Sequence, residues 1–106
     1  MQEDRINALV PLQGVLCYEF KDLELLNKSL THKSYSNEVL LSLKNNERLE
    51  FLGDSVIDLI MADYMFLTYP DLPEGSLSKI RAAIVNENSL ARLAIKLELG
   101  SYLLLG

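Results

Sequence analysis

The strongest constraint on the fold is one long segment, residues 46–69, in which apolar side chains recur at helical spacing until Pro70 stops the pattern. The predicted core-facing stripe of this segment consists of Leu49, Leu52, Val56, Ile60 and Leu67. Apolar residues at this spacing share one side of a helix. The segment therefore predicts a long amphipathic helix with one face toward a core.

Shorter helices are predicted on both sides of this long one. They are expected over residues 4–12, after the N-cap Asp22, over residues 76–85 and over residues 88–97. We expect the first to end near Gly14, the last to end at Gly100, and residues 33–46 to form a loop. Because no segment shows the two-residue alternation of a strand, the predicted fold class is all-α.

The composition limits the class of protein. The chain has 106 residues, of which 49% are hydrophobic, enough for one domain with a core. A single cysteine, Cys17, excludes an internal disulfide and fits a reducing compartment; we expect a buried structural thiol there. The acidic N-terminus is unlike a signal peptide, and no uncharged stretch is long enough to span a bilayer. The sequence therefore predicts a soluble cytoplasmic protein without a membrane partner.

The charge balance argues against binding nucleic acid through an overall positive field. The formal net charge is -5, from 15 acidic and 10 basic residues. It does not exclude a nuclease, because an acidic metal site needs concentrated carboxylates while local cations contact phosphate. Lys33, Arg48, Lys79 and Arg81 are available for that role, although Arg48 and Arg81 are equally good candidates for ion pairs with neighbouring acids.

Three acids on the long helix are candidates for a metal site. Glu47, Glu50 and Asp54 are spaced i, i+3 and i+7, which places all three on one face. Glu50 and Asp54 lie one turn apart, about 6 Å along the axis, and repel each other unless a cation sits between them. Magnesium suits such oxygen ligands. The ordinary alternative is a solvated acidic face, which is the commoner origin of this spacing.

Two neighbouring residues favour the functional interpretation. Gly53 interrupts a strong helical pattern at a cost of about 1 kcal/mol relative to alanine, which predicts close packing at that point. Phe51 lies off the main apolar stripe, so we expect it to be exposed in a monomer, as a contact residue would be.

The residues of this helix also match a known pattern. Residues 46–55, NERLEFLGDS, resemble the signature helix of the ribonuclease III family. Further matches, in the same order along the chain, are YEFKD at residues 18–22 with Leu25 and Leu26, LTHKS at 30–34, EGSLSKIRA at 74–82 and the stretch 99–106. The resemblance implies the helical, dimeric endonuclease-domain fold of that family.

The resemblance also implies roles for individual residues. Glu50 and Asp54 match the catalytic, metal-binding carboxylates, with Mg²⁺ as the cofactor and Mn²⁺ as a possible substitute. Glu47 and Glu74 match acids that face the RNA, although a helix-start position explains Glu74 equally well. Phe51 matches the aromatic residue that inserts into the partner subunit of a homodimer.

The function implied is that of an endoribonuclease for double-stranded RNA, of the type that processes ribosomal and messenger RNA. Each subunit of the dimer would cut one strand by metal-dependent phosphodiester hydrolysis, with the duplex recognised mainly by its shape. His32 is a candidate general base, but a loop histidine with a packing or RNA-contact role is the preferred interpretation, because metal-assisted phosphoryl transfer requires no such base.

The match is incomplete at its C-terminal end. The family completes its metal site with a later Asp-x-x-Glu-Ala helix, which the sequence lacks. We therefore expect residues 1–106 to form a partial catalytic domain without its C-terminal helices and without a double-stranded RNA-binding domain, inactive alone. The alternatives are a non-catalytic RNA-binding or ribosome-associated scaffold of the same fold, and an unrelated acidic helical interaction module.

Overall fold

A computed structural model of the chain describes residues 1–39 and 44–106, and within them the structure is helical. The helices are α1 (Glu3–Ala8), α2 (Val10–Leu16), α3 (Leu23–Ser29), α4 (Lys33–Val39), α5 (Glu47–Thr68), α6 (Glu74–Ile84) and α7 (Glu87–Lys96), followed by a 3₁₀ helix (Leu99–Tyr102). The one β-bridge found in the described part of the chain joins Thr31 to Leu104. The all-α prediction is confirmed.

The first predicted helix is two helices. The chain turns at Leu9, and α2 then begins with Pro11 in its first turn, where a residue without an N–H is tolerated. Helix α2 continues through Gly14 and ends at Cys17, which adopts a left-handed conformation with φ of 55°. Cys17 is exposed at this helix end, so the predictions of a buried thiol and of a helix end near Gly14 are wrong.

The segment after α2 confirms one prediction and corrects another. Asp22 caps α3, its Oδ1 accepting a hydrogen bond from the backbone N–H of Leu25 at 3.1 Å. The predicted loop over residues 33–46 begins with α4, and its residues 40–43 lie outside the described residues. A polar stretch can be helical when its side chains are satisfied locally, as at Ser36, which is buried and donates to the Lys33 carbonyl at 2.9 Å.

The core lies among α1, α2, α3 and the C-terminal segment. Its buried residues are Leu9, Leu12, Leu26 and Leu30, with Phe20, Leu23, Leu99 and Tyr102 packed against them. Arg5 ties these elements together, because its guanidinium donates to Asn27 Oδ1 at 2.7 Å and to the Tyr102 carbonyl at 2.6 Å. Burial lowers the pKa of the Arg5 guanidinium, and interaction with Tyr35 opposes that shift.

Helix α5 has nearly the predicted bounds but not the predicted burial. Of its stripe, Leu52, Val56, Ile60 and Leu67 are each about half or more exposed, whereas Met65, outside the predicted stripe, is 2% exposed. Helix α5 packs chiefly against α6, and the described residues leave most of its circumference uncovered. The expectation of a stripe facing the core is therefore wrong for those four residues.

Helices α6 and α7 lie close to their predicted positions. Asn86 caps α7, its Oδ1 accepting from the backbone N–H of Ser89 at 2.9 Å. Beyond α7 the left-handed position belongs to Glu98, with φ of 54°, and Gly100 lies inside the 3₁₀ helix, which corrects the predicted terminator. Within residues 1–39 and 44–106, no helix combines the length and the apolar character needed to cross a membrane.

Candidate active site

The three candidate carboxylates lie on the N-terminal half of α5, and all three residues are exposed. Glu47 is the first residue of the helix, and the backbone N–H of Glu50 donates to the Asn46 carbonyl at 2.8 Å. The helical rise separates Glu50 from Asp54 by about 6 Å along the axis. Both side chains are therefore open to an ion or a phosphate group from solvent.

Glu47 has a basic neighbour from another element. Lys33, at the start of α4, places its Nζ 4.0 Å from Glu47 Oε1, and both side chains are more than half exposed. Among the residues that the structure describes, neither Arg48 nor Arg81 forms an ion pair with an acid, so the ion-pair alternative is not found for either residue. Lys33 is thus the candidate cation that the fold brings to the acidic end of α5.

Two asparagines attach the start of α5 to α4 and to the turn before α4. Asn45 Oδ1 accepts from the backbone N–H of Glu47 at 3.0 Å, and its Nδ2 donates to Ser36 Oγ at 3.3 Å. Asn46 donates from its backbone N–H to the Thr31 carbonyl and from its side-chain Nδ2 to the Ser29 carbonyl, both at 2.9 Å.

These asparagine contacts were not anticipated from the sequence. The available signal was a pair of asparagines directly before a helix, which is typical of helix capping. Capping alone would not have indicated contacts to a turn that lies many residues earlier in the chain.

His32 lies in the same turn and is exposed. Its Nδ1 accepts from the backbone N–H of Ser34 at 3.1 Å and lies 2.7 Å from Ser34 Oγ. The backbone N–H of Gly106 donates to the same Oγ at 2.9 Å. The backbone N–H of His32 donates to the Leu104 carbonyl at 2.9 Å. These hydrogen bonds indicate a structural role for His32 in the turn.

Three further site predictions can be located. Glu74 is the exposed first residue of α6, directly after Pro73, where an acid also favours the helix dipole. Phe51 is 79% exposed, as expected. A Cβ at Gly53 would meet no atom of the described residues within 4 Å, so the close packing predicted there is not found.

The donor chemistry of α5 fits part of a magnesium site. In the described part of the chain no three His, Cys, Asp or Glu side chains are grouped so that they could hold a metal ion. Glu50 and Asp54 nevertheless offer two exposed carboxylates on successive turns, the hard oxygen ligands that Mg²⁺ and Mn²⁺ prefer. Magnesium commonly takes only one or two protein carboxylates and completes its shell with water and substrate oxygens.

Sequence comparison places these residues in a known group. A model of the Ribonuclease-III-like family matches residues 22–106. Ribonuclease 3 of Borreliella afzelii is 54% identical over 91 residues, which are 86% of this chain and 37% of that protein. Ribonuclease 3 of Oleidesulfovibrio alaskensis is 50% identical over 95 residues, or 90% of this chain and 42% of that protein. The chain thus spans about two fifths of the length of these relatives.

Structural comparison defines the fold class. A structure of the nuclease domain of ribonuclease III from Campylobacter jejuni, described as showing flexibility in a region involved in dimer formation, matches with a TM-score of 0.84 and 48% identity. The match covers 92% of this chain and 65% of that one. The architecture is therefore that of an all-helical nuclease domain. The chain belongs to the ribonuclease III family.

Proposed function

We propose that this chain is part of an endoribonuclease that cleaves double-stranded RNA by metal-dependent hydrolysis of phosphodiester bonds. The observation that carries the proposal is the exposed pair Glu50 and Asp54, one turn apart on the helix that bears the family's signature pattern. Two uncompensated carboxylates at this spacing repel each other, so a cation between them stabilises the arrangement.

Glu50 and Asp54 would hold Mg²⁺, or Mn²⁺ in its place. A bound divalent ion supplies the charge that stabilises the phosphoryl oxygens and lowers the pKa of a coordinated water. The two carboxylates would fix the position of that charge at the N-terminal half of α5. Glu47 and Glu74 would face the RNA, and Lys33, held beside Glu47, would contact a backbone phosphate. Recognition would depend on duplex shape and 2′-hydroxyl groups.

The first test is the substitution Asp54→Ala in the full chain that the gene encodes. Loss of a carboxylate that positions catalytic charge should lower kcat for duplex RNA by at least roughly 10²–10³-fold, with the oligomeric state unchanged. Cleavage of a labelled duplex under single-turnover conditions measures the effect. Asp63→Ala is the matched control, because nine residues further along α5 is the opposite helix face. Unchanged turnover in Asp54→Ala would reject the site.

We propose in addition that the chain acts as a homodimer in which Phe51 contacts the partner subunit. Support comes from the 79% exposure of Phe51, since a large aromatic side chain left in solvent marks an interaction surface. The related C. jejuni nuclease domain is described as having a region involved in dimer formation.

The dimer proposal is tested by Phe51→Ala. A buried aromatic anchor contributes about 2 kcal/mol to an interface, and the substitution removes one anchor from each subunit, so the dimer dissociation constant should rise by roughly 10²–10³-fold. Sedimentation equilibrium measures it. Tyr18→Ala, which removes an aromatic side chain that is 57% exposed and lies outside α5, should leave the constant unchanged. Equal dimer affinity in Phe51→Ala and the unsubstituted protein would exclude Phe51 as the contact.

A further inference from the structure

Asn46 uses three polar groups to connect the site helix to the rest of the fold. Its backbone N–H donates to the Thr31 carbonyl and its Nδ2 donates to the Ser29 carbonyl, both at 2.9 Å. Its own carbonyl accepts from the backbone N–H of Glu50 at 2.8 Å. Asn46 therefore links the turn between α3 and α4 directly to Glu50, one of the candidate metal-binding residues.

The turn that receives these bonds is itself fixed to the core. Ser29 donates from Oγ to the Leu26 carbonyl at 2.6 Å, and Thr31, which is 1% exposed, donates from Oγ1 to the Asn27 carbonyl at 2.7 Å. Leu26 belongs to the buried cluster. Asn46 thus connects the first turn of α5 to residues that lie next to the buried core.

The side chain of Asn46 does not perform the role expected at its position. An asparagine at the N-cap of a helix usually accepts a hydrogen bond with its Oδ1 from a first-turn N–H. Asn86 does this for α7, whereas Asn46 makes no such bond and Asn45 Oδ1 accepts from Glu47 instead. The amide of Asn46 is used for a tertiary contact, and serine, threonine or aspartate could not donate the same bond from an NH₂ group.

We propose that Asn46 is a positioning residue for the metal site, which sets the location of Glu50, and of its neighbour Glu47, relative to the core. This inference rests on the proposed function. Within the described residues, the first half of α5 is mostly exposed, so its first turn is free to fray when the contacts at its start are lost. A displaced first turn moves Glu50 while Asp54, in the second turn, stays in place.

The test compares Asn46→Ser with Asn86→Ser in the full chain that the gene encodes. Serine keeps a good N-cap residue in both places but removes the amide donor. The probe is Mn²⁺ alone, and its dissociation constant follows from the electron paramagnetic resonance signal of the free ion. The melting temperature of each variant is measured in parallel. Asn46→Ala, which removes the amide without adding a charge, provides a second variant without the donor.

We expect both Asn46 variants to weaken Mn²⁺ binding by about 10-fold or more, the usual effect of removing a group that orients a metal ligand. Asn86→Ser should change the dissociation constant less than about 2-fold, even where its melting temperature falls as far, because its contacts lie in α6 and α7. Unchanged Mn²⁺ affinity in the Asn46 variants would overturn the proposal. So would equal weakening in Asn86→Ser, which would show a general effect of stability.

A ligand variant separates this proposal from the proposed function. Asp54→Asn removes a candidate ligand directly, so it should weaken Mn²⁺ binding at least as much as the Asn46 variants. If Asp54→Asn binds Mn²⁺ like the unsubstituted protein, the metal site on α5 is wrong and both proposals fail. If Asp54→Asn weakens binding and the Asn46 variants do not, the metal site stands and the positioning role alone is rejected.

Discussion

Two parts of this chain contain similar apolar residues but differ in how they are packed. In the N-terminal region Leu9, Leu12, Leu26 and Leu30 are buried, none more than 6% exposed. On α5 the side chains left in solvent are as large and as apolar: Phe51, Leu59, Phe66 and Leu67 are each at least 69% exposed. The hydrophobicity of a side chain therefore does not show whether that side chain is buried in the core or exposed to solvent.

The difference shows how stability and function are distributed. Burial of apolar side chains is the main source of folding free energy, so the N-terminal region stabilises the fold. Helix α5 holds the candidate carboxylates and an apolar surface of the kind that marks interaction sites. Its first turn is joined to the N-terminal region by a few polar contacts, such as those of Asn46.

The largest expected effect is obtained by making the same substitution in both regions. Leu12→Ala, in α2, should lower the free energy of unfolding by about 2–5 kcal/mol, because a side chain that is 1% exposed leaves a cavity. Leu59→Ala, on α5 at 70% exposure, should change it by less than about 0.5 kcal/mol in this chain. Urea unfolding followed by circular dichroism measures both. Equal losses would show that α5 is packed in solution.

The same contrast explains what the sequence could predict. The bounds of α5, the cap at Asp22 and the all-α class depend on local chemistry, namely helical spacing, a capping carboxylate and Pro70, and they are confirmed. Burial depends on which elements meet, and local spacing does not contain that information. The apolar spacing on α5 accordingly predicts a core-facing stripe, but the described residues form no core around it.

The candidate site likewise combines features that local sequence patterns predict with contacts that they do not predict. Helical spacing placed Glu50 and Asp54 on successive turns of α5, and the structure has that helix. The contacts of Lys33 with Glu47 and of Asn46 with Ser29 join residues far apart in sequence, and nothing in their local patterns indicates the pairing. The left-handed residues Cys17 and Glu98 escaped prediction because glycine is the usual signal for that conformation.

A smaller effect is expected from a substitution at Gly53, on the exposed part of α5. Gly53 has no positive φ, and a Cβ there would meet no described atom within 4 Å. Gly53→Ala should therefore raise the free energy of unfolding of this chain by about 0.5–1 kcal/mol, the difference in helix propensity. Thermal unfolding at fixed protein concentration measures it. A loss of stability, or of dimer affinity, would instead show that a neighbour packs closely against this glycine.

The smallest effect is expected at the ion pair between Lys33 of α4 and Glu47 of α5. Lys33 and Glu47 lie 4.0 Å apart with both side chains largely in solvent, so their attraction is screened and opposed by side-chain entropy. Lys33→Met should lower the free energy of unfolding by less than about 0.5 kcal/mol, and the difference should vanish in about 1 M salt, where screening extends only about 3 Å. Lys79→Met, at an exposed lysine of α6 that forms no ion pair within the described residues, is the control. A loss above 1 kcal/mol that persists in high salt would contradict a screened surface pair, and it would mean that the Lys33 ammonium stabilises the start of α5 through a contact that salt does not screen.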